Sequence, residues 1–158
     1  MSGRAHSTMA PVTVAQAALM RADEGGKMAV DPSLPILVVD DYNTMIRIIR
    51  NLLRQLGFED VDEAPDGSIA LSKMHIKRYG LIISDWNMEP MTGYELLKVV
   101  RADPAMAKTP FILVTAESKQ DNINAAKTAG VSGYIIKPFN EKVLKEKIDA
   151  ALAAPVAA

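Results

Sequence analysis

Three aspartates, a threonine and a lysine stand at the ends of apolar runs and define the chemistry open to this chain. Asp40 and Asp41 close the run Pro35-Ile36-Leu37-Val38-Val39, and Asp85 closes Leu81-Ile82-Ile83-Ser84. Thr115 closes Phe111-Ile112-Leu113-Val114, and Lys137 closes Gly133-Tyr134-Ile135-Ile136. Any one of them alone reads as an ordinary loop beginning; together they form a pattern. Two carboxylates about 5 Å apart repel by roughly 3 kcal/mol at an effective dielectric of about 20. Three brought together therefore require proton uptake, the ammonium of Lys137, or a bound cation. Oxygen donors without histidine or cysteine favour a hard ion such as Mg²⁺, held by carboxylates together with a phosphate oxygen. Beside such a cation Asp85 can act as nucleophile toward a phosphoryl group and form an aspartyl phosphate. Lys137 would neutralise phosphoryl oxygen charge and the Thr115 hydroxyl would donate to another oxygen. An acid cluster held by Lys137 for purely structural reasons accounts for the carboxylates, but not for Thr115 or for the shared strand-end placement.

The elements that must position these residues are legible from the same runs. Each is too short for a helix and suits a parallel strand covered on both faces; Pro90 and Gly93 stop the extended pattern after Asp85. Asn43 is expected to cap a helix whose apolar stripe is Met45, Ile49, Leu52, Leu53 and Leu56, with Arg47, Arg50 and Arg54 on a solvated face and Gly57 as its stop. Phe58 to Ala64 reads as a short strand, and Asp66 caps a helix carrying Ala70, Leu71 and Met74. Thr92 to Arg101 reads as a helix built on Tyr94, Leu97 and Val100, ended near Pro104. Lys119 to Ala129 reads as a helix with Ile123 inward and Gly130 as its stop. Asn140 caps a last helix with Leu144, Ile148, Ala151 and Leu152 on one stripe. Five strands alternating with five helices predict an α/β fold, a doubly wound five-stranded parallel sheet with helices on both faces. All strand ends then point one way, so Asp40, Asp41, Asp85, Thr115 and Lys137 converge where open α/β sheets bind their ligands.

Composition narrows the function classes. The 158 residues, 49% hydrophobic, suffice for one domain with a sizeable core plus a tail. The absence of cysteine excludes disulfides and thiolate metal sites, and His6 and His75 lack a metal-ligand spacing. A net charge of -1 leaves no nucleic-acid footprint. No apolar run approaches the roughly 18 residues of a membrane span, and Val12 to Met20 lacks a signal-peptide core, so a soluble cytoplasmic protein is expected. Residues 1–33, rich in Ala, Ser, Gly and Pro, read as a flexible N-terminal extension, within which Thr13 to Gln16 has capping-box spacing and Val14 to Arg21 has the length of about two helical turns.

Val38-Val39-Asp40-Asp41, Ile83-Ser84-Asp85-Trp86-Asn87-Met88, Val114-Thr115-Ala116-Glu117 and Lys137-Pro138-Phe139 together resemble the motif set of response-regulator receiver domains, most closely the stand-alone chemotaxis regulators. The resemblance runs from about Pro35 to Leu152 and implies a receiver domain over 34–153, a short tail at 154–158, and the strand order 2-1-3-4-5. It implies that Asp85 accepts a phosphoryl group from a histidine kinase, and that Asp40, Asp41, Asp85 and the Asn87 backbone carbonyl hold Mg²⁺. By the same resemblance Thr115 and Tyr134 are a switch pair, the Lys137-Pro138 bond is cis, and Asn87 and Glu117 govern the lifetime of the phosphoryl group. The chain departs from the family pattern at Glu89, where the chemotaxis members usually carry proline directly after the methionine; this adds a carboxylate that either turns toward the metal behind its direct ligands or stays a solvated loop residue.

The resulting expectation is a monomeric phosphorylation switch that catalyses only its own phosphorylation and dephosphorylation. With no output domain expected after Leu152, it would act by protein contact through the surface spanning Lys119 to Lys147, on a flagellar motor switch component if the output is chemotaxis. A non-motility stress-signalling or phosphorelay branch is the alternative. An aspartate-nucleophile phosphatase or dehalogenase would need a second acid two residues after Asp85, where Asn87 stands. A flavin module would need a phosphate loop where Asp40 and Asp41 repel phosphate. A receiver that is never phosphorylated would not need the complete residue set.

Overall fold

The computed structural model describes residues 31–154 and residue 156. The expected helical turns at Val14 to Arg21, like the rest of residues 1–30, lie outside the described residues. Strands β1 (Ile36–Val39), β2 (Val61–Ala64), β3 (Leu81–Asp85), β4 (Phe111–Thr115) and β5 (Gly133–Ile136) alternate with helices α1 (Asn43–Gln55), α2 (Gly67–Ile76), α3 (Gly93–Ala102), α4 (Gln120–Thr128) and α5 (Glu141–Ala153). The strands form one sheet in the order β2-β1-β3-β4-β5 with every pairing parallel, as expected.

Strand alternation sorts the core into two layers. Ile36, Val38, Leu81, Ile83, Ile112 and Val114 pack against Ile46, Ile49 and Leu53 of α1 and Leu144 and Ile148 of α5. On the other face Leu37, Val39, Ile82, Phe111 and Leu113 pack against Ala70 of α2, Leu96, Leu97 and Val100 of α3, and Ala126 of α4. Because both faces are covered, β1, β3 and β4 are buried along their whole length, which is why they read as unbroken apolar runs. Each such Leu or Ile contributes about 1.5–3 kcal/mol. Register carries the alternation to the carboxyl edge of the sheet. Val39 lies beside Ser84, so one step further Asp40 and Asp85 become neighbours on the α1–α5 side while Trp86 joins the opposite layer.

The helices end where the sequence places their signals. Gly57 and Gly130 adopt φ of 101° and 91°. The following Phe58 and Val131 N–H groups close the helices onto the Leu53 and Ala126 carbonyls at 3.0 Å each. Asp66 and Asn140 cap α2 and α5 through Ile69 N–H and Val143 N–H, and Thr92 with Glu95 forms a reciprocal capping box on α3. At the amino ends of the strands the Arg101 guanidinium donates to the carbonyls of Gly130 (2.9 Å), Ala107 (3.1 Å) and Thr109 (2.6 Å), tying the loops before β4 and β5 to α3.

Five local readings are corrected. Asn43 does not cap α1 but is its first residue; Tyr42 occupies the cap without a side-chain bond. The Tyr42 N–H is instead taken by Asp40 Oδ1 at 3.0 Å. The α1 stripe centres on Ile46, Ile49 and Leu53, with Met45, Leu52 and Leu56 at its margins, and Arg50 pairs with Glu63 of β2. Phe58 belongs to the helix stop, so the second strand begins only at Val61. On α4 the buried residue is Ala126 and Ile123 is half-buried, while on α3 Leu96 takes the buried place and Tyr94 is half-buried.

Candidate functional site

Parallel register and strand alternation bring three carboxylates to one spot. One oxygen from each of Asp40, Asp41 and Asp85 lies within 4.8 Å of the others. Asp40 is 2% exposed and Asp85 6%, whereas Asp41 faces solvent. Asp85 was expected at an exposed strand end; it is buried because Lys137, arriving from beyond β5, lies over it and donates from Nζ to Asp85 Oδ1 at 2.8 Å. Beside the cluster opens a cavity of about 420 Å³ lined by Asp41, Asn87, Met88, Glu89 and Thr92, which places Asn87 and Glu89 on the rim of the site. The expected cis Lys137-Pro138 bond is present, and Glu89-Pro90 is cis as well.

Lys137 bonds Asp85, and among the described residues Asp40 has no cation in contact, only the Lys137 charge from a distance. Burial pushes the Asp40 carboxyl up to about 6, against the Tyr42 N–H that opposes the rise and with the Asp85 charge adding to it. A buried carboxylate that resists ionisation next to two others is a donor set suited to a small hard cation, whose charge would relieve the three together.

The electrostatics give a stability prediction. Because the folded pKa of Asp40, about 6, exceeds its ordinary 3.8, the folded state holds this proton more tightly than the unfolded chain. Stability therefore falls as pH rises across that interval, and the penalty is complete above it. In EDTA at about pH 7.5, Asp40→Asn is expected to stabilise the protein by about 2 kcal/mol, and to lose this advantage near pH 4, in urea denaturation. Equal stability at both pH values for mutant and wild type would show that Asp40 ionises without strain.

A second group lies at the end of β4. Thr115 is fully buried and its Oγ1 accepts the Glu117 N–H at 3.1 Å, while the Tyr134 hydroxyl donates to the Glu117 carbonyl, also at 3.1 Å. Burial and then the Glu117 charge push the Tyr134 phenol above its ordinary value, so it stays a donor at neutral pH. Thr115 and Tyr134 are thus joined through Glu117 and, side chain to side chain, directly. Trp86 adds an unexpected link. Its indole stacks on Tyr94 of α3, centroids 5.1 Å apart and planes 3° from parallel, and meets Tyr134 edge-on at 6.2 Å. Gly93 was read only as a strand breaker, yet its N–H bonds the Trp86 carbonyl at 2.9 Å and folds the loop back onto β3. A glycine opening α3 right after Thr92 was the available signal.

The family model for the response regulator receiver domain matches residues 36–149. The chain belongs to this family. It is 52% identical over 116 residues to chemotaxis protein CheY of Pseudomonas aeruginosa, covering 73% of this chain and 94% of that one. To chemotaxis protein CheY-3 of Vibrio cholerae it is 46% identical over 120 residues, covering 76% and 92%. Among solved structures, the CheY4 chemotaxis protein of Vibrio cholerae matches with a TM-score of 0.71 at 33% identity over 75% of this chain and 98% of that one. The receiver domain of a sensor histidine kinase from Pseudomonas aeruginosa, with a magnesium ion coordinated in its active-site cleft, matches with a TM-score of 0.70 at 27% identity over 77% and 99%. This receiver domain is a phosphorylation switch of the two-component type, built on the CheY-like fold. Among the described residues no helix is long and apolar enough to cross a membrane.

Proposed function

We propose that Asp85 is the phosphoacceptor of a chemotaxis response regulator, taking its phosphoryl group from a histidine kinase in a Mg²⁺-dependent reaction. The observation that carries this reading is the meeting of Asp40, Asp41 and Asp85 within 4.8 Å, with Lys137 bonded to Asp85. Lys137 occupies Oδ1, leaving the other Asp85 oxygen to attack phosphorus. The P–O bond to Asp85 forms as the P–N bond to the donor histidine breaks, and the leaving imidazole takes that electron pair and a proton. The Lys137 ammonium offsets charge on the phosphoryl oxygens. Thr115 accepts from Glu117 N–H and shares a side-chain hydrogen bond with the Tyr134 hydroxyl, so its proton reaches a phosphoryl oxygen by leaving Tyr134. Asp40, Asp41, Asp85 and the Asn87 carbonyl would hold Mg²⁺, which when bound neutralises charge on the transferring group.

Drawing the Thr115 hydroxyl toward the phosphoryl group loosens its bond to Glu117, the same residue that anchors Tyr134. Phosphorylation thereby shifts the Tyr134 equilibrium and alters the surface from Lys119 to Lys147, where a monomeric protein engages a flagellar motor switch component. The likeness to chemotaxis proteins at 52% and 46% identity supports that output. The only chemistry assigned to the chain is its own phosphorylation and dephosphorylation, in the cytoplasm. Phosphotransfer profiling against every histidine kinase of the source organism tests the reading. Preferential transfer from a kinase of the motility system supports it, and transfer only from others overturns the chemotaxis assignment.

Two further results are expected. Asn87 and Glu117 are both polar and exposed, leaving water a path to the acyl phosphate, so the phosphoryl group is short-lived. A half-life of hours in a chase after labelling would contradict this. Glu89, exposed on the cavity rim with Asp41 and Asn87, adds negative charge near the cation. Glu89→Gln is expected to weaken Mg²⁺ binding several-fold at low ionic strength, where screening is least, in a titration followed by Trp86 fluorescence. Affinity equal to wild type under those conditions would leave Glu89 without a part in the site.

A further inference from the structure

Asp85 and Trp86 are consecutive, and strand alternation sends them to opposite faces of the sheet. The Trp86 N–H continues the ladder to the Val114 carbonyl at 2.9 Å, so its backbone is fixed. The indole is held by something else. On one side it stacks on the Tyr94 ring, nearly parallel at 5.1 Å, and the Lys98 ammonium, one turn along α3, lies 5.1 Å from the Tyr94 centroid. On the other side it presents to Tyr134, whose backbone pairs with Leu113 and whose hydroxyl is tied to Glu117. A continuous series of contacts therefore runs from Lys98 through Tyr94, Trp86 and Tyr134 to Glu117 and Thr115. Nothing in the phosphoryl chemistry requires Tyr94, and its half-buried ring is not needed to fill the core, which Leu96, Leu97 and Val100 already close from the same helix.

We propose that Tyr94 is a positioning residue: by stacking on Trp86 it fixes the indole as the wall against which Tyr134 rests, and so sets how readily Tyr134 changes place. This rests on the reading of Thr115 and Tyr134 as the switch pair. Without the stack the indole gains rotational freedom, the edge-on contact with Tyr134 is made only part of the time, and the described pose of Tyr134 loses population. The strength of an aromatic pair sets the size of the effect, a shift of about two- to tenfold in the Tyr134 equilibrium. The acceptor carboxylate lies on the opposite face, so the rate at which Asp85 is phosphorylated is unaffected.

Tyr94→Leu keeps an apolar side chain with good helix propensity but removes the ring, and Tyr94→Phe keeps the ring and removes the hydroxyl. Both, with wild type, are labelled with fluorotyrosine, and the Tyr134 signal is assigned by its loss in Tyr134→Phe. Fluorine NMR then reads the Tyr134 populations in metal-free protein and with Mg²⁺ plus acetyl phosphate, while intact mass follows phosphorylation. The expected result is a two- to tenfold redistribution of the Tyr134 signal in Tyr94→Leu, none in Tyr94→Phe, and equal phosphorylation rates in all three. A Tyr134 distribution in Tyr94→Leu equal to wild type overturns the proposal, whatever happens to the melting temperature, and so does a Tyr94→Phe variant that behaves like Tyr94→Leu. Absence of phosphorylation in wild type is a different failure: it removes the phosphoacceptor reading, while the metal-free comparison still decides whether Tyr94 positions Tyr134.

Discussion

Asp85→Asn is expected to abolish phosphorylation, with labelling reduced on the order of a thousandfold or more, because it removes the nucleophile and little else. The amide has nearly the shape of the carboxylate, and its oxygen still accepts from Lys137 Nζ, which in the wild type lies 2.8 Å from Asp85 Oδ1. The neutral amide does not attack phosphorus at neutral pH. Incubated with acetyl phosphate, wild type should gain the mass of one phosphoryl group in Mg²⁺ and none in EDTA, and the mutant should gain none in either. Labelling of Asp85→Asn comparable to wild type would move the chemistry to Asp40 or Asp41 and overturn the assignment. A structural by-product sharpens the test. The amide relieves charge repulsion on Asp40 but also removes the counter-charge of Lys137, so a retained cooperative melting transition in EDTA separates loss of chemistry from loss of fold.

Gly93→Ala should give the largest loss of stability. A Cβ built on Gly93 would stand 2.0 Å from the Asp85 carbonyl oxygen, 2.9 Å from its carbon and 3.0 Å from Leu113 Cδ2. The carbonyl has no easy retreat: it belongs to a strand paired with β4 and also accepts from Ser84 Oγ at 2.9 Å. Relieving the clash requires moving either α3 or β3, at a cost of about 3 kcal/mol or more, seen as a fall of roughly 10 °C in melting temperature. Gly67 is the internal control. A Cβ there meets Met91 Sδ and Cγ at 2.7 and 2.8 Å, which side-chain rotation can move, and Met91 Cβ at 2.9 Å, which moves only with its loop backbone, so Gly67→Ala should cost less than Gly93→Ala without being free. Equal, small losses for the two substitutions would show that the loop from Trp86 to Thr92 yields as easily as a side chain does.

The contrast between these two glycines also marks what the sequence reveals. Signals that act within a few residues were legible: the apolar runs of β1, β3, β4 and β5, the caps at Asp66 and Asn140, and the glycine stops at 57 and 130. The site was legible for the same reason, since a parallel sheet forces strand ends together and the residues at those ends could be named in advance. Legibility failed where a side chain answers to a distant partner. Asp40 turns to the Tyr42 N–H, so α1 starts without the expected Asn43 cap. Asp85 is buried because Lys137 closes over it, and Tyr94 meets Trp86 only once α3 has folded back against β3. No spacing along the chain encodes the approach of Gly93 to the Asp85 carbonyl, which depends on where two elements cross.

The alternation along β3 makes this protein unequally sensitive to two kinds of genetic change. Exchanging Leu81, Ile82 or Ile83 for another aliphatic residue leaves every other side chain on its own face and is felt as a graded loss of packing. Removing one residue from the same run leaves the hydrophobic content almost unchanged, yet swings the Asp85 carboxylate to the side where Trp86 now lies and takes it away from both Asp40 and Lys137. A library of substitutions in this strand should therefore contain many dim variants, and a library of single deletions only dark ones.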